Sequence, residues 1–418
     1  MHVAVALLLA VPLLLKASHL FDAKSGKLVS PGAVLVEGTT IVAAGSEIEA
    51  PAGAQIIDLG DATLLPGLLD AHTHLSHEGG SSYYEDQFKL RVTPPAEQAH
   101  KAAAYARRTL EAGFTTVRDL GSFDYLDLGL HNAIRDGFIK GPRMIFSLHP
   151  IGARGGHTDG LAVPNDPQAH GVREGVCAGA DLCREAVRWQ VRYGASVIKV
   201  AASGGVLSYG DAVDHPQLTL EEMSAIVHEA HNLDRKVAAH CHGDTAAKVA
   251  IKAGVDSLEH ASFLKADTLK LAKERGIFIV PTLSAVESVV ARQASFPPSI
   301  AAKARAAGEA HSAMMKEGLR LGVRFALGTD AGVGKHGTNA RELVLFVERG
   351  MTPAQALRTG TLETAVLLGV ADKLGSLEKG KLADVIAVPG DPLADIHATE
   401  RVFFVMKEGE VVRADKRR

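Results

Sequence analysis

The stretch Thr63-Leu-Leu-Pro-Gly-Leu-Leu-Asp-Ala-His-Thr-His-Leu75 decides how the rest of the chain is read. Leu64, Leu65, Leu68 and Leu69 make an apolar run of the kind a strand shows when both its faces are buried, as in a parallel sheet. The run ends in Asp70, His72 and His74. Residues i and i+2 of a strand point the same way, so His72 and His74 project side by side. Paired imidazoles at a strand's C-terminal end suit one metal ion. The bland alternative is two unrelated surface or core histidines, and the remaining ligands must come from elsewhere in the chain.

Downstream, helical stretches alternate with apolar strands. The strand-like segments are Thr115–Gly121, Arg143–His149, Ser196–Ala202, Lys236–His242, Ser257–Ala261, Ile277–Leu283 and Arg324–Asp330. With the His-x-His strand they make eight βα units, the number that closes a (β/α)8 TIM barrel. The ends of the chain read differently. Leu13–Leu20 reads as a first strand, Ala33–Glu37 and Thr40–Gly45 as a hairpin around Gly38, and Gly380–Val388 and Arg401–Val412 as strands with glycine turns. The expected class is α/β: a barrel over residues 66–375 and a small β-sandwich domain built from both termini, residues 1–65 and 376–418.

Bulk composition is ordinary for a globular chain long enough for a barrel and a smaller second domain. The 418 residues are 46% hydrophobic and 22% charged, with 45 basic against 48 acidic residues and a net charge of −3. That balance gives no reason to expect nucleic acid or an anionic membrane as partner. The apolar stretch Val3–Leu15 is too short to span a bilayer and has neither a basic leader nor a small-residue cleavage site. The compartment is left open: cytoplasmic, or periplasmic or secreted if residues 1–12 are a remnant signal sequence. Three cysteines do not make a disulfide scaffold. Cys241 is read as a small buried residue; whether Cys177 and Cys183 bridge, as they could in an oxidising compartment, or stay reduced, the default reading, is left open.

Chemistry in a barrel sits at the C-terminal strand ends. Those ends carry His72 and His74 on strand one, Lys199 on strand four, His240 on strand five, His260 on strand six and Asp330 on strand eight. Singly, a histidine is more often a satisfied core residue and an aspartate after Gly-Thr a helix cap. Six such residues at the same end of one barrel are not explained that way.

This pattern resembles the amidohydrolase superfamily, in its binuclear, carboxylated-lysine form, over essentially the whole chain. Within it the chain looks most like the imidazolonepropionase-related branch with Xaa-Pro dipeptidases, carboxypeptidase-like enzymes and ochratoxin-hydrolysing amidases. Gly155-Gly-His-Thr-Asp159, Ile198-Lys-Val-Ala-Ala-Ser-Gly-Gly205 and Val255-Asp-Ser-Leu-Glu-His260 carry that closer match. The resemblance implies two divalent metal ions, with zinc expected. His72, His74 and Asp330 would hold one, His240 and His260 the other, and Lys199, carboxylated by carbon dioxide, would bridge them with a hydroxide. That hydroxide would attack the amide carbonyl of a dipeptide or N-acyl amino acid with a free carboxylate, and Asp330 would shuttle the proton. Mononuclear deaminases of the superfamily lack the strand-four lysine, so Lys199 favours amide hydrolysis.

His149, His157, Arg154 and Tyr209 are the expected substrate-binding residues; Ser76, His77 and His242 are weaker candidates. The alternative activity is a lactonase, phosphotriesterase or cyclic-amide hydrolase on the same metals. A metal-free assembly protein is the non-enzyme alternative, disfavoured because every ligand position is filled. The expected partners are a small-molecule or dipeptide substrate and further copies of the chain in a homo-oligomer.

Overall fold

The computed structural model describes residues 11–80, 82–159, 170–209 and 211–416. Most of the stretch read as a signal remnant therefore lies outside the described residues. Among those residues no helix is long and apolar enough to cross a membrane. The chain divides into two compact units, one of Met1–Leu69, Glu111–Thr115 and Thr352–Arg418, the other of Asp70–Leu110 and Thr116–Met351.

The first unit holds two sheets. In one, Thr40–Gly45, Gly32–Glu37, Leu13–Ala17 and Gln55–Asp58 lie side by side, the last pair parallel. In the other the order is Glu410–Ala414, Phe404–Lys407, Val385–Pro389, Ala62–Pro66, His19–Asp22 and Lys27–Val29. One buried apolar cluster draws on both sheets, with Leu15, Val34 and Val36 from the first and Leu64, Val385 and Phe404 from the second. Two expected strands turn out to be broken. Leu13–Leu20 divides at Ser18, and its halves join different sheets. The apolar run of the opening stretch divides at Gly67 into Ala62–Pro66 and Leu68–Thr73. Pro66 has no N–H to give a continuing ladder, which favours a break there.

The second unit alternates helices with parallel strands. Besides the two-residue pair Gly152–Ala153 and Val176–Cys177, its strands are Leu68–Thr73 (β1, which enters from the first unit), Phe114–Asp119 (β2), Arg143–Phe146 (β3), Val197–Ala201 (β4), Lys236–Cys241 (β5), Ser257–His260 (β6) and Phe278–Val280 (β7). β1, β2 and β3 are neighbours in one sheet, and β4 to β7 in another, all in sequence order. Ser196 N donates to Phe146 O at 2.9 Å and Ile151 N to Lys199 O at 2.8 Å, so hydrogen bonds join β3 and the chain after it to β4. Each strand residue from Val197 to Ala201 is buried, as the unbroken apolar runs require.

The segment expected as the eighth strand is extended but not a regular strand, meeting its neighbours through single bridges at Phe325 and Ala331. Ala326 N donates to Ile279 O of β7 at 3.0 Å, and Ala71 N and Asp330 N return to it from and to β1 through Leu327 O (2.8 Å) and His72 O (2.7 Å). Part of its ladder is replaced by a side chain, because the Asp70 carboxylate accepts Thr329 N at 3.1 Å and the Thr329 hydroxyl at 2.6 Å. Gly328 is needed for this approach: a Cβ there would lie 2.3 Å from Val280 Cγ1 and 2.9 Å from His72 Cβ.

Of the two readings left open for Cys177 and Cys183, the structure has the bridged one. Cys177 and Cys183 form a disulfide, their Cα atoms 5.1 Å apart. Gly179, at φ 81, turns the chain back so that the start of helix Ala180–Arg192 meets Cys177. Cys241 is free and buried, as expected.

Between β1, β2 and β6 lies a charged group with no access to water. Arg118 on β2 is 1% exposed and donates to Ala71 O (2.6 Å), Ser257 Oγ (3.2 Å) and Glu259 Oε1 (2.8 Å). Glu259 is itself fully buried. Burial alone would raise its pKa, but the Arg118 guanidinium and His72 hold it down at about 2. Removing one member of such a pair leaves the other charge buried without compensation. Glu259→Ala is expected to lower stability by about 3–5 kcal/mol in a denaturant titration; a midpoint close to that of the unmodified protein would show that Arg118 finds other partners.

Candidate metal centre

The strands deliver their polar residues to one place by leaving regular geometry at their ends. His260, Ala261, Thr282 and Asp330 all have left-handed backbones, with φ between 52° and 69°. Non-glycine residues hold that conformation at a cost of about 1–3 kcal/mol each and cluster at functional sites. His72 and His74 project together as the alternation of β1 requires, their ring centroids 5.4 Å apart. His72 is 5.0 Å from His260, which is 4.6 Å from His240.

In this cluster the Nδ1 atoms are engaged elsewhere. Nδ1 of His72 donates to Glu259 Oε2 (2.8 Å) and that of His74 to Gly121 O (3.1 Å), while that of His260 meets Thr282 Oγ1 (2.8 Å). The Nε2 atoms are left for the centre. His72 Nε2 is 3.2 Å from Lys199 Nζ and 3.6 Å from Asp330 Oδ1, and His74 Nε2 is 3.2 Å from Asp330 Oδ1. His240 Nε2 is buried with no hydrogen-bond partner. Burial, with Lys199 nearby, pushes His72 down to about 4, and burial drives His240 and His260 well below the ordinary histidine range. Burial also lowers Lys199 to about 8. His74 goes the other way: burial lowers it, but the hydrogen bond and charge of Asp330 outweigh that and raise it. Imidazoles whose outer nitrogens are tied to a carboxylate, a carbonyl and a hydroxyl are oriented as metal ligands are.

Two triads have ligand atoms within 4.8 Å of one another: His72, His260 and Asp330, and His240, His242 and His260. Two histidine-bearing groups sharing His260, one of them including the Asp330 carboxylate, with Lys199 beside His72, fit divalent cations such as zinc. A cavity adjoins the cluster, and His72, His74, Lys199, His240, His260 and Asp330 all line it.

The expected substrate-binding residues do not all converge. His157 lines the cavity, stacks on His240 with centroids 4.1 Å apart, and is hydrogen-bonded through Nδ1 to Ser208. His149 stands apart from the cavity, buried edge-on against Tyr125 (5.4 Å), with its neighbour Pro150 in the lining instead. Arg154 is exposed and outside the lining. Tyr209 is 65% exposed and borders a second hollow with Tyr83 and Asp159, which shares His157 and Leu207 with the cavity. The weaker candidates His77 and His242 do line the cavity, His242 stacking on His260 at 4.7 Å. Sequence reading gave Glu259 and Arg118 no role, although Glu259 stands beside His260 within a segment already singled out. A charge next to a candidate ligand on a buried strand is the signal that was there to use.

Comparison with known proteins agrees with this geometry. Residues 63–412 match the model of the amidohydrolase family. The ochratoxinase of Aspergillus niger is 37% identical over 369 residues, which cover 84% of this chain and 75% of that protein. The imidazolonepropionase of Geobacillus kaustophilus is 27% identical over 398 residues, 86% and 84% of the two chains. Among solved structures, a Xaa-Pro dipeptidase with methionine bound in its active site matches with TM-score 0.91 and 38% identity, over 96% of this chain and 100% of that one. The structure of the A. niger ochratoxinase matches with TM-score 0.86 and 33% identity, over 97% and 96%. The chain belongs to the amidohydrolase family.

Proposed function

We propose that the chain is a metal-dependent hydrolase that cleaves the amide bond of a dipeptide or N-acyl amino acid carrying a free carboxylate. The observation that carries this reading is the convergence on one cavity of four histidines, a lysine and an aspartate, from β1, β4, β5, β6 and the Arg324–Asp330 segment. The ochratoxinase and Xaa-Pro dipeptidase among the relatives favour an amide as the bond cleaved. The reading takes the parallel strands and the Arg324–Asp330 segment as an eight-membered barrel, supported by the hydrogen bonds that lead from β7 through that segment back to β1. It takes the two sheets that share a core in the first unit as a sandwich.

His72, His74 and Asp330 would hold one divalent ion, and His240 and His260 a second, with Lys199, carboxylated by carbon dioxide, shared between them. When bound, such ions polarise a carbonyl and lower the pKa of water toward neutrality. The chain's own residues do the rest. Glu259 keeps the proton of His72 on Nδ1, so that Nε2 faces the centre. Asp330, beside His72 and His74, takes a proton at its carboxylate and passes it to the leaving nitrogen. His157, fixed by Ser208 and by its stacking on His240, presents its other nitrogen for the substrate's carbonyl or carboxylate oxygen.

The test is a panel of N-acyl amino acids, Xaa-Pro and other dipeptides, ochratoxin A, a lactone and a phosphotriester, on zinc-loaded protein of measured metal content. Cleavage confined to amides with a free carboxylate, at about two metals per chain, is the expected outcome; turnover of the lactone or phosphotriester alone would overturn the amide assignment. Lys199→Ala is expected to stay folded while losing metal stoichiometry and nearly all turnover, and unchanged activity would end the shared-ligand model. Asp330→Asn is expected to lower kcat roughly 10²–10⁴-fold, with circular dichroism unchanged; a small effect would assign the proton transfer to another group.

A further inference from the structure

The cavity that holds the histidine cluster has a second side of different character. Val206 and Leu207 come from the loop after β4, Val286 and Val289 from helix Leu283–Ala291, and Ala304 and Ala307 from helix Pro298–Leu321. Val206, Val289, Ala304 and Ala307 belong to one buried apolar cluster, against which Leu207, Phe296 and Val333 pack. Among the described lining residues the one lysine is Lys199 and there is no arginine. A charged substituent placed on this side would lose its hydration and gain no partner.

The wall is also held in place. Lys303, on the same helix as Ala304 and Ala307, donates from Nζ to Gly205 O and Ser208 O, both at 2.7 Å, and to Asp211 Oδ1 at 3.1 Å. These bonds pin the loop that presents Val206 and Leu207, so the apolar surface exists before a substrate arrives. Ala304 and Ala307 are three residues apart on one helix face, and as the smallest side chains among valines and a leucine they leave the wall its depth.

We propose that this wall receives a bulky, uncharged apolar substituent of the substrate, and that Ala304 and Ala307 are the specificity-determining positions that set its size. The inference rests on the amide-hydrolase reading for the identity of the reaction but not for the binding of the apolar group. The wall enlarges preference by the transfer of apolar surface out of water, roughly ten- to hundred-fold for a leucine- or phenylalanine-sized group.

Two measurements on the full-length, zinc-loaded protein test it. The first is thermal stabilisation by N-acetylglycine, N-benzoylglycine, N-acetylphenylalanine and N-acetylaspartate, which vary the two sides of the amide separately and need no turnover. The second is kcat/KM for the same compounds. A bulky apolar group on one side is expected to raise both the thermal shift and kcat/KM over the small and charged analogues. In Ala304→Leu and Ala307→Leu the bulky-to-small ratio is expected to fall at least tenfold, whereas Ala306→Leu, at an exposed position of the same helix, keeps it. Should filling the wall prevent folding, Val286→Ala widens it instead and is expected to shift the preference toward larger groups. Equal stabilisation by the aspartate and phenylalanine compounds, or an unchanged ratio in folded wall variants, would overturn the inference. If neither these compounds nor the dipeptides and ochratoxin A of the wider panel are turned over while the thermal shifts follow the expected order, the wall stands and the hydrolase reading fails.

Discussion

A fully buried carboxylate, Glu259, ties the centre to the interior of the strands. One of its oxygens takes the Arg118 guanidinium and the other takes Nδ1 of His72, so a single side chain neutralises a buried cation and sets the tautomer of a candidate ligand. Arg118 reaches in turn to Ala71 O on β1 and Ser257 Oγ on β6. Three strands distant in sequence are thereby joined by charge-assisted bonds in a place where unpaired polar groups are expensive. The candidate site is not set on top of an independent core; part of the core's own polar network points into it.

A second carboxylate works on the other side of β1. Asp70 accepts from His72 N, from Thr329 N and hydroxyl, and from the Asn339 amide at 2.8 Å. It binds the end of β1 to the segment that carries Asp330. The regular ladder is given up there, and a side chain with two acceptor oxygens replaces it. This exchange lets the chain turn sharply before Asp330 while its buried N–H groups stay satisfied.

Much of this was legible from the order of residues alone. His72, His74, Lys199, His240, His260 and Asp330 each end or interrupt an apolar run, and a strand's register then leaves few directions for them to point. The loop residues were another matter. His149, Arg154 and Tyr209 sit where direction depends on turn geometry, and the chain places His149 against Tyr125 and leaves the other two facing solvent. Arg118 and Glu259 escaped because a charge inside a strand has two faces open to it, and local sequence does not say which one is closed. The break at Ser18 carries no glycine or proline to announce it, and the Cys177–Cys183 bond depends on a left-handed Gly179 that spacing does not reveal.

The left-handed residues at the strand ends bear on how this protein would respond to selection for robustness. Ala261 sits between His260 and Ser262 at φ 57 with its side chain buried, and has no ligand atom of its own to aim. An L-residue there works against its own Cβ, a conflict of about 1–2 kcal/mol that glycine does not suffer. The usual rule that glycine weakens a buried segment is therefore reversed at this one position. A library screened only for heat tolerance would be drawn to glycine here, beside a candidate metal ligand, and would loosen the backbone that aims His260 in the act of improving the fold.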